Sequence, residues 1–361
     1  MPGKKYEKIG EGAYGCVIQP SLACANRLPA KTYKNKIAKV MLSRHAKKEM
    51  KEYALISRAD PKKRYYLGKP ITCKIRDNAQ TRRVIKTCKR GKKYLKDMDE
   101  TSLMIMENGG MNLSMLAKEM GKWKSTADNR AIVKQVLSEF ARMLEGVRVF
   151  LKHDIIHHDL KPQNVVYSMR TERMNFIDFG LMRKRSDCIR SSRNSDNWSA
   201  SSAHWSYPME TQFLNRDQYM AFAKKLQKEK KEYVGIIAKN IEDVNDDKLS
   251  DTFDAVCSYV VDENQETKTR EQILDDYISF LMENMTPANY DKIMKRSFDT
   301  YDTYGLGLAL FKITFSIKQM IGWEMYDKLK EFSYDLVHPN VLRRLTVDDA
   351  IVRYESILKM F

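Results

Sequence analysis

The stretch His157-His158-Asp159-Leu160-Lys161-Pro162-Gln163-Asn164 sets Asp159, Lys161 and Asn164 at fixed spacing just beyond a long amphipathic segment. From Asn164 it is 14 residues to Asp178, where an apolar run ends in Asp178-Phe179-Gly180. One chemistry calls for these residue types together. Phosphoryl transfer from ATP needs a carboxylate to take the proton of the attacking hydroxyl, and an Asn and a second Asp to hold Mg²⁺. Asp159 fits the first role, and Asn164 and Asp178 the second. Lys161, beside the base, can lie against the migrating phosphoryl group. Either motif alone reads equally well as a surface turn; the two in this order and at this distance favour the chemical reading.

The elements that must position these groups lie on both sides. Residues 6–18, YEKIGEGAYGCVI, flank Gly10, Gly12 and Gly15 with strand-forming residues and end in Val17. This is strand-turn-strand, unlike the strand-turn-helix of a dinucleotide fold, and its glycines let backbone approach phosphates while Tyr14 caps the tip. Lys39 sits inside the short apolar strand 36–41 and suits the α- and β-phosphates. Residues 44–57 read as a basic helix whose Glu49 and Glu52 both lie within reach of Lys39; the apolar run after Glu52 selects it as the partner, with Glu49 the alternative. Residues 60–100 read as strand fragments joined by a polar hairpin. Ser102–Met106 is a buried strand running into Glu107-Asn108-Gly109-Gly110, a hinge whose backbone faces adenine, with Met106 and Glu107 bordering the nucleotide.

Val133, Val136, Leu137, Phe140, Leu144, Val147 and Leu151 recur at helical spacing, so residues 130–151 form a core helix capped by Asp128 or Asn129. It delivers the 157–164 loop, and strands at 165–167 and 174–177 hold Asn164 and Asp178. Residues 181–206 are serine- and arginine-rich and suit a mobile activation-type loop. Glu210 is expected to pair with Arg344, and Asp302, at the start of an apolar helix, to accept backbone N–H bonds and brace the catalytic loop. Between Glu210 and Asp302 lie 91 residues. Helices are expected at 218–240 and 270–295, with an acidic stretch at 243–270, and the insert at about 211–298 suits either a docking element or padding.

The 361 residues carry 43% hydrophobic residues and a net charge of +17. Length allows two lobes. No apolar run reaches the ~18–20 residues of a membrane span, and the N-terminus lacks the apolar core of a signal peptide. A cytoplasmic location is expected. The six cysteines form no Cys-x-x-Cys pair, which disfavours zinc and suits reduced thiols; Cys73 and Cys88 are the pair a hairpin would bring close, but buried free thiols are the plainer reading. The positive charge suits nucleic acid or another acidic partner, and equally a set of solvated lysine faces.

Assembled in order, the glycine loop, Lys39, Glu52, the 159–164 loop, Asp178-Phe179-Gly180 and Asp302 resemble the eukaryotic-type protein kinases. Asp159-Leu160-Lys161-Pro162-Gln163-Asn164 is similar to the serine/threonine type. Tyr14-Gly15-Cys16-Val17-Ile18-Gln19-Pro20 with Cys24 is similar to divergent kinases of large nucleocytoplasmic DNA viruses, which would place the protein in host cytoplasm or a virion. The resemblance implies an α+β bilobal fold: a β-rich lobe at 1–107 with the glycine-rich loop, and a helical lobe at 108–361 carrying the insert. It implies ATP and Mg²⁺ as cofactors and a protein Ser/Thr hydroxyl as acceptor. The alternatives are a pseudokinase scaffold, binding partners through its basic face and insert, and a small-molecule kinase, which the glycine loop and Lys161-Pro162 disfavour. Two departures stand out. His158 replaces the Arg that in the family grips an activation-loop phosphate, so activity is expected not to depend on that phosphate. Tyr207-Pro208-Met209-Glu210 replaces Ala-Pro-Glu.

Overall fold

The computed structural model describes residues 6–12, 14–195, 204–229, 232, 235, 253–254, 256–258 and 269–360. They belong to two compact units, Met1–Gly110 and Met111–Phe361.

Unit 1 is built on an antiparallel sheet of order β1-β2-β3-β5-β4. Its strands are β1 (Glu7–Glu11), β2 (Cys16–Gln19), β3 (Lys36–Leu42), β4 (Ile71–Lys74) and β5 (Thr101–Glu107). Both faces of β3 and β5 are covered, which is why they read as nearly unbroken apolar runs. Helix α1 (Ser43–Ala59) covers one face. On the other, Ala38, Val40, Leu103 and Ile105 share a core with Val84, Ile85 and Tyr94. Those three residues come from α2 (Ala79–Ile85) and α3 (Gly91–Lys96).

The expected hairpin at 60–100 is therefore corrected: only residues 71–74 form a strand. Asn78 caps α2 by accepting from Thr81 N at 2.8 Å. Thr81, Val84, Ile85 and Cys88 are all buried, and their spacing of i, i+3, i+4, i+7 is that of one helical face.

The expectation of six reduced thiols is also corrected. Cys16 is bonded to Cys88 and Cys24 to Cys73, a state that persists in oxidising surroundings. Cys88 lies in the turn after α2, where its nearest thiol is Cys16 at the start of β2 and not Cys73. Cys188 and Cys257 are free and buried.

Unit 2 is mainly helical. Short strands β6 (Met111–Asn112), β8 (Val165–Ser168) and β9 (Arg173–Phe176) form one small sheet; β7 (Ile155–Ile156) and β10 (Arg183–Lys184) form another. The helices are α4 (Leu113–Met120), α5 (Ala127–Lys152), α6 (Arg185–Arg193), α7 (Arg216–Lys228), α8 (Arg270–Asn284), α9 (Tyr290–Ser316), α10 (Trp323–Val337) and α11 (Val347–Leu358). The cap of α5 is Thr126, whose side chain accepts from Asn129 N, rather than Asp128 or Asn129. Buried almost all round, α9 packs against α4, α5, α6 and α10. Asp302 lies in its middle and not at its start, because the helix begins at Tyr290. Within the insert, Tyr219, Leu226, Ile273, Tyr277 and Phe280 share one buried core with Ile293 and Phe298 of α9, so α7 and α8 are structural members of the unit. Most of residues 230–268, including the acidic stretch, lie outside the described residues. No described helix is long and apolar enough to cross a membrane.

The disulfides close chain separations of 72 and 49 residues. Removing either, as Cys88→Ser or Cys73→Ser, should lower unit 1 stability by about 2–4 kcal/mol. Peptide mapping without reductant should recover both cross-links; recovery of four free thiols would contradict the pairing.

Candidate active site

In unit 1, β1 and β2 carry the glycine turn, closed by Gly12 N donating to Gly15 O at 2.9 Å. Gly15 is required by close approach: a Cβ there would stand 2.9 Å from both Cγ and Cε of Lys39. The lysine therefore runs directly against the loop. Val17, Lys39 and Met104 face one another across β2, β3 and β5, and Met106 lies opposite Ile37. Residues opposite each other in antiparallel strands share a face, so Val17, Lys39 and Met106 lie on the same side of the sheet. Glu107, at the exposed end of β5, makes an ion pair with Lys36.

Lys39 is buried, and its Nζ contacts both carboxylate oxygens of Glu49 at 3.0 and 2.8 Å. Glu49, not the expected Glu52, is the partner. The reason is the rise of the helix. Ser43 meets Ser102 at 2.8 Å, and Tyr53 OH reaches Met106 Sδ at 4.0 Å, so α1 runs along β5 from residue 102 to residue 106. Lys39 is level with Met104, midway along that path. At ~1.5 Å per helical residue against ~3.4 Å per strand residue, the midpoint of 43–53 falls beside Glu49. Glu52 lies almost a turn further on; it is buried, and its Oε2 has no hydrogen-bond partner among the described residues. Burial pushes its carboxyl pKa up.

In unit 2, two loops are set side by side by strand pairing. The 157–164 loop lies between β7 and β8, and the 177–182 loop between β9 and β10. β8 pairs with β9 and β7 with β10. Ile177 N donates to Asn164 O at 3.0 Å, and Ile177 O is 3.0 Å from His157 Nε2. Asp178 follows at φ +62, a left-handed turn that Asp tolerates better than most residues.

Within the first loop, Lys161 Nζ contacts Asp159 Oδ1 and Oδ2 at 2.8 and 3.0 Å. Asn164 Nδ2 donates to Asp159 O at 2.7 Å and to Oδ2 at 2.8 Å. With its amide nitrogen so used, Asn164 presents Oδ1. An amide oxygen and the carboxylate of Asp178 are hard oxygen donors, the type that fits Mg²⁺.

The loop is braced from α9. Asp302, 1% exposed, accepts from His157 N at 2.7 Å and His158 N at 3.0 Å. Burial raises its pKa, while His157 and the two amides oppose the rise. Gly305, one turn along, was missed by sequence reasoning: a Cβ there would meet Leu160 O at 2.1 Å. A glycine inside an otherwise apolar helix was the available signal. His204 was also missed. Burial and the Lys161 ammonium lower its pKa, and the Asp159 carboxylate pulls it back up.

His158 has φ +68 and stacks on Tyr301 with ring centroids 4.7 Å apart; Tyr207 is at 5.6 Å. Burial, then the charge of Arg183, push its pKa down to about 3. Glu210 and Arg344 form a fully buried bidentate pair at 2.8 and 3.0 Å, with Ser297 also donating to Glu210. The loop expected at 181–206 is corrected over residues 183–193, which form β10 and α6; residues 196–203 lie outside the described residues.

A β-sheet unit carrying a glycine turn against a paired lysine, followed by a helical unit with these two loops, defines the class. Residues 4–221 match the family model for the protein kinase domain, well over half of the 361 residues. The chain belongs to the protein kinase family, with an α+β fold. It is similar to the "Probable casein kinase I homolog" of Encephalitozoon cuniculi (strain GB-M1), 28% identical over 75 residues, which is 21% of this chain and 25% of that relative. The match thus spans a quarter of the relative's length.

Two expectations follow. Glu49→Gln should lower kcat/KM for ATP by roughly 10–100-fold, a loss of about 1.4–2.7 kcal/mol, because the Lys39 ammonium loses the carboxylate that positions it, whereas Glu52→Gln should change it less than threefold. Steady-state kinetics check both, and the reverse ranking would restore Glu52. His158 is neutral when folded down to about pH 3 but takes a proton near its ordinary 6.5 when unfolded. Its contribution to stability is present above pH 6.5 and is lost as pH falls, by at most about 1.4 kcal/mol per unit. Urea unfolding between pH 7 and 4 should show a shallower slope in His158→Asn than in wild type; equal slopes would contradict this.

Proposed function

We propose that the protein is a serine/threonine kinase that transfers the γ-phosphate of ATP to protein hydroxyls with Mg²⁺. The observation carrying the proposal is the Asp159 carboxylate held jointly by Lys161 and Asn164 on a loop anchored by Asp302. Asp159 orients the acceptor hydroxyl and takes its proton as oxygen attacks the γ-phosphorus and the bond to the bridging oxygen of ADP breaks. Lys161 offsets charge on the transferring group. Lys39, positioned by Glu49, and the Gly10–Gly15 turn bind the triphosphate; Val17, Met106 and Glu107 border the base. Asn164 and Asp178 would hold Mg²⁺, which neutralises phosphate charge when bound. The chain's own contribution is positioning and fixed electrostatics.

Serine/threonine preference rests on the Lys161-Pro162 pattern. A neutral His158 packed between two tyrosines offers no cation to an activation-segment phosphate, which supports activity independent of that phosphate. The resemblance of residues 14–24 to viral kinases supports a viral origin. Of the two locations that origin allows, the paired cysteines favour the virion over a reducing cytoplasm.

Radiolabelled ATP with a generic protein acceptor, followed by phosphoamino-acid mapping, tests the proposal. Asp159→Asn should cut transfer about 10²–10⁴-fold, with label on Ser and Thr. An undiminished rate would remove Asp159 from the base role, and label on Tyr alone would overturn the specificity. Mg-ATP binding without transfer would make the chain a binding scaffold.

A further inference from the structure

The positive charge is confined to one unit. Residues 1–110 contain 27 Lys and Arg against 10 Asp and Glu, a net +17; residues 111–361 contain 37 of each, a net of zero. The whole excess of the chain therefore sits on its smaller unit. Three of the ten acids there are withdrawn from the surface. Glu49, Glu52 and Asp60 are buried, while Glu11, Asp77, Asp99 and Glu107 each face a lysine or arginine.

The cations are ordered in space. On α1, Arg44, Lys47, Lys48, Lys51 and Arg58 are all exposed, at spacings that make one stripe along the helix. The two acids of that helix point inward. The stripe is about 21 Å long at ~1.5 Å per residue. At its N-terminal end Arg44 shares a hollow with Lys93, Asp97 and Glu100, and His45 lies within the fields of Arg44, Arg90, Lys48 and Lys93. Tyr14, 49% exposed at the tip of the glycine turn, sits with its ring 5.0 Å from that of His45. The stripe thus begins beside the nucleotide-binding turn.

We propose that the exposed cation stripe of α1 in unit 1 binds the phosphate backbone of nucleic acid. The partner is selected by the shape of the charge. A stripe of like charges about 20 Å long suits a partner with regular negative charge along its length, and duplex DNA carries one per ~1.7 Å of axis. A single bound anion would use a small converging site instead. A membrane partner would call for apolar side chains interleaved with the cations, and the exposed positions of the α1 stripe hold none larger than Ala54. With contacts to phosphates only, binding is indifferent to base sequence. It is separate from phosphoryl transfer and does not depend on the roles given to Asp159 or Asn164.

The test is fluorescence anisotropy of the full chain with a labelled 20-bp duplex between 50 and 200 mM salt. Five phosphate contacts predict a log–log salt slope near −4.5, a loss of roughly 500-fold over that range. The variant Arg44→Gln/Lys47→Gln/Lys48→Gln/Lys51→Gln should reduce the slope by about three to four units. The charge-matched control Lys118→Gln/Lys152→Gln/Arg170→Gln/Lys359→Gln on unit 2 should leave slope and affinity within twofold. An unchanged ATP-induced rise in melting temperature in both variants shows that unit 1 remains folded. Absent or salt-insensitive binding at 50 mM overturns the proposal, as does equal weakening by both variants. Tighter binding of phosphatidylserine vesicles or polyglutamate than of the duplex overturns it too, by assigning the face to another partner.

Discussion

The buried carboxylate of Asp302 is the contact on which the site in unit 2 depends. An ionised group at 1% exposure is costly unless its oxygens are satisfied, and here the satisfying donors are the backbone amides of His157 and His158. The loop and the carboxylate therefore stabilise each other: the two amides satisfy the buried oxygens, and the carboxylate fixes the two amides at the start of the loop. Gly305 lets α9 approach close enough for this to happen. The position of Asp159, two residues after His157, thus depends on α9 as well as on Lys161 and Asn164 within the loop.

Two strand pairs extend that order to Asn164 and Asp178, the residues proposed to hold the metal. Because β7–β10 and β8–β9 flank both loops, Asn164 and Asp178 are fixed from both ends by main-chain bonds, and the Ile177 amide closes the gap between them. Unit 1 solves the analogous problem with side chains. Its lysine is held by a glutamate on a helix that runs back along the sheet, and its glycine turn is tied on the opposite face by the Cys16–Cys88 bond and by Lys89 N donating to Glu11 Oε1.

The groupings among these residues were legible from their types and order: Asp159, Lys161 and Asn164 meet on one loop, main-chain bonding sets the strand before Asp178 beside it, and Lys39 is paired to a glutamate of α1. What could not be read was which of two residues on one helical face meets a strand residue. That depends on where α1 starts and which way it runs, and single-residue differences in start decide between Glu49 and Glu52. The helices at 79–96 were missed because each is short and rich in charge, so that only five buried positions mark them. Cysteine pairing was misjudged because it depends on which turns meet in space, and Cys16, Cys24, Cys73 and Cys88 are 49 and 72 residues from their partners. Asp302 was identified as the brace but placed at a helix start, since the long insert hid the preceding turns of α9.

If Asp302 acts through the loop that presents Asp159, the two residues must be coupled in catalysis. The direct measurement is kcat for phosphoryl transfer in wild type, Asp302→Asn, Asp159→Asn and the double variant, with melting temperatures to confirm folding. Asp302→Asn alone should lower kcat by about 10–100-fold, and in the Asp159→Asn background it should lower it by less than threefold. Losses that multiply in full, or an unchanged kcat in Asp302→Asn, would contradict the account.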